Sequence, residues 1–418
     1  MAKKIILASA VFAFFCAGIS SSAMPTSSQT SPSDSQASSS QAKKNIQQSS
    51  PYFPGIKNGS KNSPSETESE NQNQKNSEVF ESKSLNSESL DSKSLASEQK
   101  VSSIENSSLN PQKSPENDTY SPISLVRLGP KFNEKYDVYV IGDGSQSYTA
   151  KRWITPFSIN RYETTYELWY ETRVIAEALG YKFLNPGQEG SKGKRGAAPT
   201  DEKDQPVTMI SWYDAVVWCN ALSEIHSLTP CYTLNGEILK DANETSKLDL
   251  CSCDFEADGF RLPTESEWEY AARKTKSGFQ SGMLASGQVD ENGNEDESVP
   301  ETEIAWFSSN TDRTMRVGTA GTPFSPSAPP MPGSGNPNGA GLFDMSGNVN
   351  EFVWDWSYRY LDTDSGERAT GISAGRERVS RGGSWSQYTP FICAGDRYSY
   401  DPNECYNYLG FRFVQTIK

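Results

Sequence analysis

The stretch GFRLPTESEWEYAAR, which runs from Gly259 to Arg273, carries a complete signal for the start of a helix. Thr264 suits the N-cap position, and Glu267 lies three residues later, where its side chain can close a capping box. Glu265 adds a second acid beside the positive end of the helix dipole. The stretch therefore predicts a capped amphipathic helix that begins immediately after Thr264.

The same pattern occurs upstream in the stretch SWYDAVVWCNALSEI, which begins at Ser211. Ser211 can cap this helix and Asp214 can complete the box, while the apolar side chains recur at helical spacing. An earlier stretch opens at Thr165 and ends at Gly180 with similar spacing. Two further helices are therefore predicted, and the one after Ser211 is expected to lie in the core.

Strand-forming residues precede these helices. The segments 136–141 and 153–159 are rich in β-branched and aromatic residues and are separated by polar turns. After Arg273 the chain becomes acidic, glycine-containing and then proline-rich up to Pro337, so few regular elements are expected there. These patterns predict an α+β domain with much ordered loop.

Two segments precede this domain. Residues 1–23 combine two lysines, a short apolar run and small residues, which is the pattern of an export signal. Cys16 lies where a lipoprotein would carry its acylated cysteine, so lipidation there and simple cleavage after Ala23 both stay open. Residues 24–119 are rich in Ser, Asn and Gln and poor in apolar residues, which predicts a disordered tether. The folded domain is expected to span residues 120–418.

Charge and rare residue types limit the function. The net charge is −14, and an acidic protein repels phosphate backbones, so nucleic-acid binding is not expected. His226 is the single histidine, which argues against catalytic triads and multi-histidine metal sites, and the pattern predicts it at a helix end. Cys251 and Cys253 have the wrong spacing for a zinc knuckle, and Cys219 is expected to be a free, buried cysteine.

Four segments occur in an order that resembles the formylglycine-generating-enzyme family, also called the sulfatase-modifying-factor domain. They are PVTMISWYDAVVWCNALS from Pro206, GFRLPTESEWEYAAR from Gly259, PNGAGLFDMSGNVNEFVWDW from Pro337, and RGGSW followed by LGFR from Arg381. The resemblance covers the whole predicted domain. It implies a variant of the C-type-lectin fold, compact but poor in regular structure.

The resemblance also implies where catalysis would occur. Active members are copper-dependent oxidases that use two cysteines, and soft thiolates suit Cu(I). The corresponding positions in this chain are Gln387 and Ile392, so copper and catalysis are not expected. Cys393 fits a different family segment and is expected to be structural. An oxidase that uses Cys393 and Cys405 in a rearranged site stays as an alternative.

A structural calcium ion is a further implication of the resemblance. In the family, a segment like 344–351 binds Ca²⁺ through two side-chain oxygens and main-chain carbonyls. Here Asp344 and Glu351 supply carboxylates, and Gly347 and Val349 stand at the carbonyl positions, which suits a cation that prefers oxygen. The alternative is a tight Gly-Asn turn with solvated acids.

The segment between Trp385 and Leu409 resembles the diversified segment of treponemal variable surface proteins, which retroelements alter at adenine codons. It is rich in Tyr, Ser, Asp and Asn, and such residues form adaptable binding surfaces. The alternative is that several of its aromatic residues only pack the core or its rim. The expected ligand contacts are Tyr388, Phe391, Ile392, Tyr398, Tyr400, Tyr406 and Tyr408.

Together these features predict an exported, non-catalytic protein that binds a protein or a surface ligand. Its expected location is the cell envelope, the cell surface or the medium, and a lipid on Cys16 is its one expected route to a membrane. Two alternatives stay open: a copper-dependent formylglycine-generating oxidase acting on sulfatases, and a structural component of an envelope assembly.

Overall fold

The computed structural model describes residues 120–142, 149–360 and 372–417. The predicted export signal, Cys16 and the tether lie outside these residues. In the described part of the chain, no helix is both long and apolar enough to cross a membrane.

The described residues form four α-helices, and the starts of the three predicted helices agree with their predicted caps. Thr165 caps the first helix, and complete capping boxes join Ser211 with Asp214 and Thr264 with Glu267. His226 is the C-cap of the second helix, so its prediction at a helix end is confirmed. The helices are α1 (Tyr166–Ala178), α2 (Trp212–Ile225), α3 (Thr245–Asp249) and α4 (Glu265–Arg273).

Fifteen short strands accompany these helices in the described residues. They are β1 (Leu125–Leu128), β2 (Asp137–Ile141), β3 (Ala150–Ile154), β4 (Phe157–Asn160), β5 (Gln188–Glu189), β6 (Val207–Thr208), β7 (Tyr232–Leu234), β8 (Glu237–Ile238), β9 (Ser252–Cys253), β10 (Phe260–Arg261), β11 (Asn350–Trp356), β12 (Arg378–Arg381), β13 (Arg397–Tyr400), β14 (Leu409–Phe411) and β15 (Val414–Thr416).

The segment 153–159, predicted as one strand, is divided between β3 and β4. Thr155 and Pro156 separate the two strands, and proline has no N–H group for a strand ladder. The chain changes sheet at this point, because β3 pairs with β2 while β4 pairs with β1 and β15.

Two four-stranded sheets organise the domain. The first has the order β1-β4-β15-β10 and is antiparallel. The second has the order β13-β12-β11-β14, in which β11 and β14 are parallel and the other pairs are antiparallel. Because β12, β13 and β14 share one sheet, both ends of the segment between β12 and β14 are fixed by strand pairing.

Aromatic side chains fill the main core between α1, α2 and the C-terminal strands. The rings of Trp169 and Trp218 stack at 5.9 Å, and Phe411 meets Trp218 edge-on at 5.3 Å. Cys219 is fully buried beside them and is free, as predicted. None of the six cysteines in the described residues forms a disulfide.

Candidate functional site

The segment Ser386–Tyr408, called the C-terminal window below, is preceded by residues that main-chain hydrogen bonds hold in place. Gly347 donates its N–H to the carbonyl of Gly382 at 2.9 Å, and Trp385 donates its N–H to the carbonyl of Asn348 at 2.9 Å. The indole of Trp385 also donates to the carbonyl of Asn407 at 3.1 Å. One tryptophan thus connects the first end of the window to the last.

Buried ion pairs support the window from beneath. Arg381 donates to Glu269 and to the carbonyl of Asp396, and all three residues are buried. Arg397 forms a bidentate pair with Glu265 at 2.7 and 2.9 Å. Burial by itself would raise the pKa of Glu265, but the arginine charges lower it. Helix α4 therefore carries two carboxylates, those of Glu265 and Glu269, whose arginine partners lie on β13 and β12.

The two positions that the resemblance aligns with catalytic cysteines hold residues that contact the surrounding framework. Gln387 accepts hydrogen bonds from Ser384 at 3.2 Å and from Asn350 at 3.1 Å. Ile392 is completely buried in a small core with Phe307. Its prediction as a ligand contact is therefore wrong, because the 3₁₀ turn that ends at Phe391 turns the next side chain inward.

Cys393 and Cys405, the residues of the alternative oxidase, contact different segments. The thiol of Cys393 donates to the carbonyl of Met283 at 2.9 Å. Burial, followed by the charges of Asp396 and Glu301, raises its pKa to about 11, so at neutral pH it is a thiol rather than a thiolate. Cys405 accepts a hydrogen bond from Arg195 at 3.0 Å.

The other aromatic residues of the window differ in exposure. Tyr388 is 68% exposed and Phe391 is 47% exposed, and both belong to or flank the 3₁₀ turn Thr389–Phe391. Tyr398 is half-buried and donates its hydroxyl to the carbonyl of Phe391 at 3.1 Å. These three residues therefore lie together at one part of the window.

Tyr400, Tyr406 and Tyr408 form a second group, and all three are half-buried. The rings of Tyr406 and Tyr408 stack at 5.0 Å with an angle of 3° between them, and Tyr400 lies 5.6 Å from Tyr406. Glu404 accepts the hydroxyl of Tyr406 at 2.8 Å, and this hydrogen bond is the main reason that the pKa of Tyr406 rises to about 12. The stacked faces form a neutral, rigid aromatic surface.

Asp344 and Glu351, the predicted calcium carboxylates, are both buried. Glu351 accepts two hydrogen bonds from Arg412 at 2.6 and 2.7 Å and one from the indole of Trp268 at 2.7 Å. One carboxylate oxygen of Asp344, Oδ1, is buried without a hydrogen-bond partner. Burial raises the pKa of Asp344 to about 6. The alternative of a turn with solvated acids is therefore wrong, because both carboxylates are buried.

Glu163 is a third acid in this region that the sequence analysis did not identify. It accepts hydrogen bonds from the Asn348 side chain at 2.6 Å and from the Val349 N–H at 3.0 Å. Burial, followed by the charges of Asp344 and Glu351, raises its pKa well above the usual value. Three acids thus share one arginine here, and this excess of negative charge fits a bound cation.

Main-chain oxygens would have to complete such a site. Within residues 120–142, 149–360 and 372–417, no three His, Cys, Asp or Glu side chains converge on a point that could hold a metal ion. The orphaned oxygen of Asp344 and the carboxylate of Glu351 fit calcium only together with carbonyls, as predicted for Gly347 and Val349.

Comparisons with known proteins agree with this architecture. The sulfatase-modifying factor enzyme 1-like domain family matches residues 119–417. A chaperone protein named LppX from Paenibacillus barcinonensis is 29% identical over 248 residues, which cover 57% of this chain and 73% of that protein. A formylglycine-generating enzyme from Streptomyces coelicolor is 35% identical over 159 residues, which cover 37% of this chain and 46% of the enzyme.

Among solved structures, the Treponema denticola variable protein 1 superposes with a TM-score of 0.50 at 24% identity. The match covers 73% of this chain and 100% of that chain. These matches confirm the predicted α+β, C-type-lectin-like fold. The chain spans less than half the length of the Streptomyces enzyme, so the activity of that enzyme does not transfer with the fold.

Proposed function

The chain belongs to the sulfatase-modifying factor enzyme 1-like domain family, and we propose that it uses this scaffold to bind a ligand instead of catalysing a reaction. The observation that carries the proposal is the chemistry at the two catalytic positions. Gln387 is bonded into the framework and Ile392 is buried, so neither can supply a thiolate. Copper oxidation needs such ligands, whereas binding does not.

The surface of the C-terminal window supports a binding role. Tyr388 and Phe391 are exposed at a turn that lies between β12 and β13 in the chain, and buried ion pairs join both of these strands to α4. Aromatic anchors on a rigid support give large contact area at a small cost in conformational entropy. The ligand we propose is a protein or another surface molecule.

We also propose that the protein is exported and acts in the cell envelope, at the cell surface or in the medium. The leader pattern of residues 1–23 supports export, and a lipid on Cys16 would retain the protein at a membrane. A binding role also agrees with the name of the Paenibacillus relative, which is a chaperone protein.

Arrays of purified proteins and glycans test the binding role directly. The doubly substituted chain Tyr388→Ser/Phe391→Ser is expected to lose at least about tenfold in affinity for any specific hit, because two exposed anchors are removed. Phe132→Ser/Val138→Ser is the matched control, since Phe132 and Val138 are exposed apolar residues on another part of the domain. Hits that respond equally to both pairs of substitutions would contradict a binding role for the window.

Calcium is the cofactor that we propose for the buried acids. Asp344 and Glu351 would hold it with the carbonyls of Gly347 and Val349, and the ion would offset negative charge that Arg412 alone does not balance. Its role would be structural, because Gly347 is bonded to the framework of the window.

Removal of calcium is expected to lower the unfolding temperature. At a calcium concentration about a hundredfold above Kd, binding adds about 2.7 kcal/mol to the unfolding free energy. Chelation with EGTA should therefore lower the midpoint by about 5 °C in a domain of this size. Differential scanning calorimetry measures this shift, and Asp344→Ala should show none. A wild-type midpoint that ignores both EGTA and added calcium would contradict the site.

A further inference from the structure

Met283 extends the exposed apolar surface beyond the C-terminal window. It is 55% exposed, and its carbonyl accepts the thiol of Cys393 at 2.9 Å. The same thiol lies 3.8 Å from the carbonyl of Thr389, in the turn that carries Phe391. Met283 and the turn Thr389–Phe391 therefore both contact Cys393, and the exposed side chains of Met283, Tyr388 and Phe391 are called the apolar patch below. Such patches on soluble domains mark interaction sites.

A strongly acidic segment adjoins this patch. Residues 281–303 contain seven Asp and Glu residues and no Lys or Arg. The segment is joined to the window by a β-bridge between Ala285 and Cys393 and by the hydrogen bond from the Ala394 N–H to the Leu284 carbonyl at 2.9 Å. The start of the segment is thus joined to the window, and Val299, further along it, packs on the small core that contains Ile392.

Some of these acids have internal roles and some project outward. Asp290 accepts main-chain N–H groups of its own loop, and Glu295 accepts the N–H of Ser281 at 2.6 Å. Glu291, Glu297 and Glu303 are exposed. These three carboxylates are available to a partner without disturbing the loop.

The two lysines immediately before the segment neutralise only part of its charge. Lys274 lies over the rings of Tyr270 and Phe279, at 5.6 and 4.4 Å from their centres. Lys276 donates to the main-chain carbonyl of Glu291 at 3.3 Å, and Glu291 itself is exposed. The seven acids of residues 281–303 outnumber these two lysines, so the local net charge is negative.

From this combination we infer that the apolar patch and the acidic segment together bind a partner protein through a short segment in which Lys or Arg flanks an apolar side chain. The apolar side chain packs on Met283, Tyr388 and Phe391, and its cationic neighbours face Glu291, Glu297 and Glu303. The inference rests on the proposed binding function and adds the charge of the partner. Electrostatic complementarity of this kind favours fast association and selects against acidic partners.

Three labelled peptides test this inference with the full chain. They are Lys-Lys-Leu-Phe-Lys-Lys, Ser-Ser-Leu-Phe-Ser-Ser and Glu-Glu-Leu-Phe-Glu-Glu, each measured by fluorescence anisotropy at low and at high salt. The basic peptide is expected to bind saturably and about tenfold more tightly than the neutral one, and the difference should shrink as salt screens the charges. The acidic peptide is expected not to bind.

Matched variants assign the effect to the surface. Glu291→Gln/Glu297→Gln/Glu303→Gln should weaken the basic peptide about tenfold and leave the neutral peptide unchanged. Glu134→Gln/Asp201→Asn/Glu237→Gln, which neutralises three exposed acids on other elements, should change neither. Met283→Ser/Phe391→Ser should weaken both peptides.

Several results would overturn the inference. The first is the absence of basic-peptide binding up to a concentration of about 1 mM, which corresponds to weak binding. The second is equal binding of the acidic and basic peptides. The third is an affinity for the basic peptide that does not change with either the acidic or the apolar substitutions. If the neutral peptide binds as tightly as the basic one and Phe391 still matters, the partner's charge is wrong while the binding function stands.

Discussion

Replacing Arg381 with methionine is expected to lower the unfolding free energy by about 3–5 kcal/mol, because it leaves a buried carboxylate without its main partner. Arg381 and Glu269 are both fully buried, and burial already raises the pKa of Glu269 against the opposing charges of Arg381 and Arg273. The substitution also removes the donor to the carbonyl of Asp396 inside the window.

Lys247→Met provides the matched control for this prediction. Lys247 forms an ion pair with Glu244 at 2.8 Å on the exposed surface of α3, with both side chains about half exposed. Exposed ion pairs contribute about 0.2–1 kcal/mol to the unfolding free energy, so Lys247→Met should lower it only slightly. Urea unfolding followed by tryptophan fluorescence measures both variants. Losses of similar size in the two would show that the pair between Arg381 and Glu269 does not support the domain.

Replacing Gly383 with alanine is expected to be the second strongly destabilising change. Gly383 has a φ of +72°, and an added Cβ would overlap the carbonyl oxygen of Phe391. The backbone at this residue must therefore shift, and the turn that presents Phe391 must shift with it. We expect the unfolding free energy to fall by about 2–4 kcal/mol, because the strain of a left-handed backbone and a steric clash add together.

Gly341→Ala separates these two contributions. Gly341 has a similar φ of +80°, but an added Cβ there has no neighbour within 4 Å. This substitution should lower the unfolding free energy by about 1 kcal/mol, because it adds only the strain of a left-handed backbone. Equal losses at the two positions, measured by urea unfolding, would mean that the close approach of Gly383 to the Phe391 turn is not tightly packed.

Local signals were enough to predict the helices of this fold. The capping boxes after Ser211 and Thr264 lie within four residues of sequence, so their side chains meet whatever the tertiary structure is. The partner of Glu269 could not be found in this way, because Arg381 lies 112 residues further along the chain. Pairing over such a distance depends on how β12 packs against α4.

The composition of the window predicted the kind of surface but not which side chains reach it. Phe391 and Ile392 are adjacent and both apolar, yet the 3₁₀ turn exposes the first and buries the second. Met283 was missed because it lies outside the window in sequence and reaches it only through Cys393. Glu163 was missed for the same reason, since only the fold brings it to Asn348.

Mass spectrometry of a cysteine peptide from a sulfatase distinguishes a non-catalytic binding domain from an oxidase. The purified domain is incubated with the peptide, Cu(I) and oxygen, and a Gln387→Ala variant serves as a control for adventitious oxidation. Because the two catalytic positions hold Gln387 and Ile392, we expect the peptide to be recovered without an aldehyde. Formation of formylglycine by the unaltered domain above the level without protein would contradict it.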